Sequence, residues 1–110
     1  GEDFVIAKMP VDKRVYQPDG VLHGGATAAL AETVGSFAAH IFLDTKNFFV
    51  RGIDISANHI KSVKKGFVYA KATFIHRGRT MQIFNIEVTD DDNQLVSSCK
   101  LTTVSLPKDR

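Results

Sequence analysis

The hydrophobic and polar positions follow two different periods along the chain. After Asn47 they alternate with a period of two, in segments rich in Val, Ile, Phe and Thr. This alternation predicts β-strands, and the same pattern marks a short segment at the start of the chain. The predicted strands are Phe4–Met9, Phe49–Lys61, Phe67–His76, Thr80–Thr89 and Gln94–Leu106. Turn-like residues (KKG before Phe67, RG at 77–78 and DDDN at 90–93) separate the last four, so we expect antiparallel hairpins.

The segment from Gly24 to about Leu43 predicts one long helix, after a loop at Pro10–Gly20. A set of its apolar residues recurs at helical spacing, and we expect this set to form the buried face: Ala26, Ala29, Leu30, Thr33, Val34, Phe37, Ala38 and Ile41. The opposite face is small rather than charged. A helix that is apolar or small all round is usually buried on most sides.

The order of one strand, one long helix and four strands predicts an α+β fold. In this fold, one antiparallel sheet wraps around the central helix. With 110 residues, the chain fits a single domain spanning residues 1–110. Because the edges of an open sheet invite pairing, we expect a homo-oligomer.

Composition narrows the classes of function. The chain is 44% hydrophobic and 24% charged, and its net charge of +2 is too small to indicate nucleic-acid binding. A single cysteine, Cys99, excludes an internal disulfide and fits a cytoplasmic protein. We expect no membrane span and no signal peptide. The four histidines lack the spacing of a metal-ligand set, and no nucleotide-type glycine loop occurs, so we expect neither metal nor cofactor.

One acid stands out in the predicted helix. Between Gly24 and Leu43 the only carboxylate is Glu32, and its helical neighbours are small residues rather than other charges. We therefore expect a largely buried carboxyl group, and burial raises the pKa of a carboxyl. Such a group can still act as a base or nucleophile. The alternative is a surface glutamate on an exposed stripe.

Five segments carry a resemblance to a known family. They are Gln17-Pro18, GVLHGGA from Gly20, LAETVGS from Leu30, ANHIKS from Ala57 and SSCKLTT from Ser97. With these motifs the sequence resembles the hotdog-fold acyl-CoA thioesterases. The similar branch includes the 4-hydroxybenzoyl-CoA, phenylacetate-pathway and 1,4-dihydroxy-2-naphthoyl-CoA thioesterases. Family members usually have a further N-terminal segment, and we expect that segment to be missing from this sequence.

The resemblance implies roles for residues around the start of the helix. Glu32 would be the base or nucleophile, and the Gly24 N–H would polarise the thioester carbonyl, as a helix N-terminus can. Gln17, His23 and Ser36 would support catalysis, and Gly25 would give the substrate room to approach. Each has a structural alternative: a tight loop-to-helix junction for the glycines, a turn for Gln17, loop support for His23, and a hydrogen bond to a helix carbonyl for Ser36.

Two basic turns and a strand histidine are candidates for binding coenzyme A. They comprise His59, Lys61, Ser62, Arg77, Gly78 and Arg79. Cationic side chains can bind the phosphates through charge-assisted bonds, but for any single basic residue simple solubility is the better explanation. The alternative for His59 is a core histidine with its hydrogen bonds satisfied. The turns at 62–66 and 77–79 lie at opposite ends of one predicted strand, so a single subunit cannot easily join them.

The resemblance also implies a dimer, and a tetramer of paired dimers. In such dimers Glu32 of one chain faces the His23–Gly24 loop of the other. The implied activity is hydrolysis of aromatic or medium-chain acyl-CoA, with Phe37, Phe48 and Phe49 as candidate lining of the acyl pocket. Two alternatives remain. One is a non-catalytic acyl-CoA-binding module, which needs no carboxylate at position 32. The other, weaker one is a dehydratase, which pairs a catalytic His with an acid on the central helix.

Overall fold

The computed structural model describes residues 4–11 and 24–108. Within these ranges the chain forms one helix and five strands: β1 (Phe4–Pro10), α1 (Gly24–Phe42), β2 (Phe48–His59), β3 (Phe67–Arg77), β4 (Met81–Thr89) and β5 (Leu95–Pro107). Every predicted element is confirmed, and no bound differs by more than two residues. Most of the predicted Pro10–Gly20 loop lies outside the described residues.

The strands form one antiparallel sheet in the order β1-β3-β4-β5-β2. Hairpins join β3 to β4 and β4 to β5, as predicted. The hairpin expected between β2 and β3 is wrong, because β2 pairs with β5 and β3 pairs with β1. The intervening segment, residues 60–66, crosses the end of the sheet instead, and its Val63 is buried. Among the described strands, β1 and β2 are therefore the two edges.

Helix α1 packs across one face of the sheet with only part of the predicted set: Leu30, Val34 and Ala38 are buried, as predicted, whereas other members of the set are exposed. Phe37 and Ile41 are more than half exposed, at 57% and 58%, and Thr33 is also exposed. The buried face instead carries mostly small residues together with Leu30 and Val34, namely Thr27, Leu30, Ala31, Val34, Gly35, Ala38 and Ala39. Small side chains let a helix backbone lie close to a sheet. This close approach, rather than the burial of the largest apolar side chains, decides the orientation of α1.

Gly35 is the point of closest approach. A Cβ added there would lie 2.4 Å from Leu101 Cδ2 and 3.3 Å from Ile86 Cδ1. Both neighbours are buried side chains of the sheet. A larger residue at this position would force the helix and the sheet apart. The consequence is that Phe37 and Ile41 point away from the sheet.

The β4–β5 turn is held by its own acids. The Asp90 carboxylate accepts hydrogen bonds from the N–H groups of Asp92 and Gln94, both at 2.9 Å, and from the Lys61 ammonium of the crossover. The next acid, Asp91, accepts from the Phe67 N–H at 3.1 Å and the Tyr69 hydroxyl at 2.8 Å. The turn and the crossover are thus joined at this end of the sheet.

Candidate active site

Glu32 opens onto a cavity beside the exposed face of α1. The cavity has a volume of about 510 Å³ and is lined by Glu32, Thr33, Ser36, Phe37, His40, Gly52 and Leu101. Gly52 belongs to the edge strand β2 and Leu101 to its neighbour β5. The cavity therefore lies between the helix and the β2 edge of the sheet. Among its described lining residues Glu32 is the only acid, and the space is large enough for a small ligand.

Glu32 is exposed in the single chain, so the expectation of a largely buried carboxyl is wrong at this level. The reason is the rotation of α1, which turns its small residues towards the sheet and Glu32 away from it. No described residue forms a hydrogen bond or ion pair with this carboxylate. Both oxygens are therefore open to a ligand, to water or to a second protein chain.

Ser36 lies one helical turn beyond Glu32 and lines the same cavity. Its hydroxyl makes no hydrogen bond to any described residue, whereas Thr33 donates to the Ala29 carbonyl at 2.8 Å. The back-bonded arrangement considered for Ser36 is thus adopted by Thr33. The Ser36 hydroxyl is available to a ligand beside Glu32.

Gly24 is the first residue of α1, and Gly25 is exposed in its first turn. The opening N–H groups of a helix have no partners within the helix, and the helix dipole adds partial positive charge there. Gly24 precedes Glu32 by eight residues, which is a rise of about 12 Å. A glutamate side chain cannot span that distance. Gln17 and His23, the other residues predicted near this site, lie outside the described residues.

The first group of predicted coenzyme A ligands lies at the C-terminal end of β2. His59 is the last residue of the strand, and Lys61 and Ser62 follow it. His59 is exposed, and its Nδ1 is 3.2 Å from the Ser97 hydroxyl oxygen. It follows Gly52 by seven strand residues, about 23 Å. Lys61 bonds to Asp90 and Gln94, while Ser62 is exposed in the crossover. The structure does not bring these three residues to Glu32 of the same chain.

The second basic turn lies near the end of the helix. The Arg77 guanidinium donates to the Phe42 carbonyl and stacks on the Phe74 ring, 4.7 Å from its centroid. The Gly78 N–H donates to the Met81 carbonyl at 3.0 Å, and Arg79 is exposed beside it. The prediction that residues 77–79 and 62–66 lie at opposite ends of one strand is confirmed, since β3 separates them.

A second cavity continues from the first, and sequence reasoning missed most of its residues. It has a volume of about 260 Å³, shares Ser36, His40 and Gly52 with the first, and adds Phe48, Phe49, Arg51 and Lys108. In the sequence His40 counts only among the four histidines that lack the spacing of a metal-ligand set. Its position, four residues after Ser36 and eight after Glu32, was the available signal, because these spacings share one helix face.

Neither a metal site nor a membrane helix is found in the described residues. No group of three or more His, Cys, Asp or Glu side chains there is arranged to hold a metal ion. Nor is any helix in residues 4–11 and 24–108 long and apolar enough to cross a membrane.

Comparison with known proteins gives the class to which this fold and site belong. Residues 19–97 match the thioesterase superfamily. A crystal structure of a thioesterase from Haemophilus influenzae superimposes with a TM-score of 0.93 at 44% identity, covering 100% of this chain and 76% of that one. The helix and sheet are thus a hotdog fold, and the predicted fold class is confirmed.

The sequence relatives agree with the structural comparison. The 1,4-dihydroxy-2-naphthoyl-CoA hydrolase of Escherichia coli is 41% identical over 106 residues, which are 96% of this chain and 77% of the relative. The proofreading thioesterase of Cronobacter sakazakii gives the same values. This chain belongs to the thioesterase superfamily and is a hydrolase of thioesters.

Proposed function

We propose that the protein hydrolyses acyl-CoA thioesters, with Glu32 as the base or nucleophile. The observation that carries this proposal is the position of Glu32: it faces a cavity, and no described residue neutralises or hydrogen-bonds it. In the reaction, the oxygen of water ends on the carbonyl carbon, the carbon–sulfur bond breaks, and the thiolate takes up a proton. Glu32 either removes the proton from water or attacks the carbonyl carbon first.

The carbonyl oxygen needs a hydrogen-bond donor as negative charge develops on it. The N–H of Gly24, at the start of α1, is that donor in our proposal. Because Gly24 and Glu32 of one chain are about 12 Å apart along the helix, they cannot act on the same thioester. The site therefore combines Glu32 of one subunit with Gly24 of another.

The free edge of the sheet supports this arrangement. Among the described strands β2 pairs with β5 alone, and its Phe49 and Ile53 are exposed at 43% and 55%. An unpaired apolar edge favours pairing with a second chain. A subunit that docks along β2 covers the Glu32 cavity, which borders Gly52 of the same strand. The burial expected for Glu32 then arises from the dimer, and a tetramer of such dimers is the assembly we expect.

The substrate in this proposal is an aromatic or medium-chain acyl-CoA. The exposed ring of Phe37 lines the Glu32 cavity, and Phe48 and Phe49 line its continuation. These rings offer apolar surface to an acyl group. Coenzyme A is bound as part of the substrate, by the basic residues predicted from the sequence. A reducing cytoplasm fits the free, buried thiol of Cys99.

The experiment measures thiol release from a panel of aryl- and fatty-acyl-CoA thioesters with wild type, Glu32→Gln and Glu87→Gln. Glu87 is the matched control, since it is an exposed glutamate on β4, outside the Glu32 cavity. Loss of the base or nucleophile is expected to cost at least about a hundredfold in rate. Glu87→Gln is expected to match wild type. If Glu32→Gln retains full activity, Glu32 is not the reactive group. Wild type that binds acyl-CoA but hydrolyses none of the panel indicates a binding module.

A further inference from the structure

The second cavity differs from the first in charge. Two cations, Arg51 and Lys108, line it, and no Asp or Glu is among its described lining residues. Both cations lie against the same ring: the Arg51 guanidinium carbon is 4.8 Å and the Lys108 ammonium nitrogen 5.1 Å from the Phe49 centroid. They are therefore within about 10 Å of each other. This cavity presents positive charge to whatever enters it.

Hydrogen-bond donors accompany these cations. The Ser36 and Thr45 hydroxyls and the His40 ring line the same cavity. The nearby acid Asp44 is not among the described lining residues, and its carboxylate is hydrogen-bonded within its own turn. It accepts from the N–H groups of Lys46 and Asn47, at 3.2 and 3.1 Å, and from the Asn47 side-chain amide at 3.0 Å.

The second cavity is continuous with the proposed reaction site. It shares Ser36, His40 and Gly52 with the cavity of Glu32. His40 lies eight helical residues beyond Glu32, a rise of about 12 Å. An acyl group whose carbonyl carbon is at Glu32 thus has a path along α1 into the cationic cavity. An anion at its far end would meet Arg51 and Lys108 there.

We propose that this cavity binds a carboxylate at the far end of the acyl group, so that the preferred substrates are ω-carboxyacyl thioesters. This inference rests on the proposed function of Glu32 and specifies its substrate class. Arg51 and Lys108 supply the opposite charge, and His40 and Thr45 donate hydrogen bonds. A neutral acyl chain of equal length leaves these groups without a partner, so the cavity discriminates against it.

The test compares suberoyl-CoA with octanoyl-CoA, which have the same chain length and differ in the terminal carboxylate. The ratio of their kcat/KM values is measured for wild type, for the double variant Arg51→Gln/Lys108→Gln, and for Lys71→Gln/Lys100→Gln. The last variant removes two exposed lysines that do not line the second cavity. We expect wild type to prefer suberoyl-CoA at least about fivefold, the discrimination available from partly exposed charge-assisted contacts. The first variant is expected to lose this preference and the second to keep it.

Two outcomes overturn the inference. One is an equal kcat/KM for both thioesters in wild type. The other is an equal loss on suberoyl-CoA and octanoyl-CoA in the Arg51→Gln/Lys108→Gln variant, together with unchanged hydrolysis of octanoyl-pantetheine. That result would assign the cations to the phosphates of coenzyme A, which octanoyl-pantetheine lacks.

Binding without turnover separates this inference from the proposed function. Both thioesters are titrated calorimetrically into the Glu32→Gln protein. Tighter binding of suberoyl-CoA supports the cationic subsite even if wild type hydrolyses neither compound, and in that case only the proposed hydrolysis fails. Equal affinities overturn the subsite even if wild type hydrolyses both.

Discussion

The acids of the β4–β5 turn and the acid of helix α1 differ in whether their carboxylate oxygens accept hydrogen bonds. Asp90 and Asp91 accept hydrogen bonds from backbone and side-chain donors, and Asp90 also pairs with Lys61. Glu32 has no such partner among the described residues and faces a cavity. A carboxylate that serves the fold has its oxygens occupied. One that serves chemistry must keep them open, as Glu32 does, and its place on the central helix beside the β2 edge distinguishes Glu32 from other open acids such as Glu87 on β4.

Asp90→Asn is expected to cause the largest loss of stability. The hydrogen bond from Lys61, followed by those from the N–H groups of Gln94 and Asp92, holds the pKa of Asp90 below its ordinary value. Folding therefore favours the ionised form. Its contribution is present above the ordinary pKa of an aspartate and is lost as the pH falls through the lowered value.

The measurement is the free energy of unfolding of wild type and Asp90→Asn from neutral to strongly acidic pH. The variant is expected to be less stable at neutral pH, with the difference shrinking as the pH falls below 4, the region of an ordinary aspartate pKa of about 3.9. Asp92→Asn, an exposed neighbour, is the control. A pH-independent difference would show that the Asp90 charge is not the cause. Thioester hydrolysis is expected to survive in both variants.

Gly35→Ala is expected to cause a smaller loss, of about 1–2 kcal/mol. The new Cβ meets Leu101 Cδ2 at 2.4 Å, and this side chain is buried but can shift. Because Leu101 also lines the Glu32 cavity, we expect the activity to fall together with the stability. Denaturant unfolding and thiol release test this prediction. Unchanged stability would mean that the helix does not lie as close to the sheet as described.

Glu32→Gln and Ser36→Ala are expected to cause the smallest losses of stability, less than about 0.5 kcal/mol. Both side chains are exposed on α1 and make no hydrogen bond to a described residue. The measurement is thermal unfolding of these two variants and of Gly35→Ala. It compares the loss of stability from the exposed face of α1 with the loss from the face that packs on the sheet. A large loss in Glu32→Gln would give this acid a structural role like that of Asp90.

The sequence predicted the elements well because each element has a distinct period and distinct turn residues. It predicted the buried face of α1 only in part, since Leu30, Val34 and Ala38 are buried as expected. Size favoured Phe37 and Ile41, whereas the close approach at Gly35 turned both residues outwards. The prediction of a β2–β3 hairpin was wrong because it, too, depends on contacts between distant parts of the chain. The KKG break resembles a turn, but pairing between strands distant in sequence decides the sheet order.

The site was predictable only in part. A lone acid in an apolar helix and the HGG motif indicated Glu32 and Gly24. His40 and Arg51 carry no local signal beyond spacing, and they line a cavity only because α1 lies next to β2. Among the described residues Glu32 is exposed. In our proposal its burial comes from a second chain along the β2 edge, which no pattern within one sequence displays.

The central claim is that Glu32 of one subunit acts with Gly24 of another, and subunit mixing tests it most directly. Gly24→Pro removes the N–H and is tolerated at the start of a helix. Glu32→Gln and Gly24→Pro proteins, each shown to be folded by circular dichroism, are mixed under conditions of subunit exchange and assayed for thiol release. In a mixed dimer one site carries both defects and the other carries neither. We predict that activity rises to about one quarter of the wild-type value. Activity that stays at the level of the separate variants would contradict a site shared between subunits.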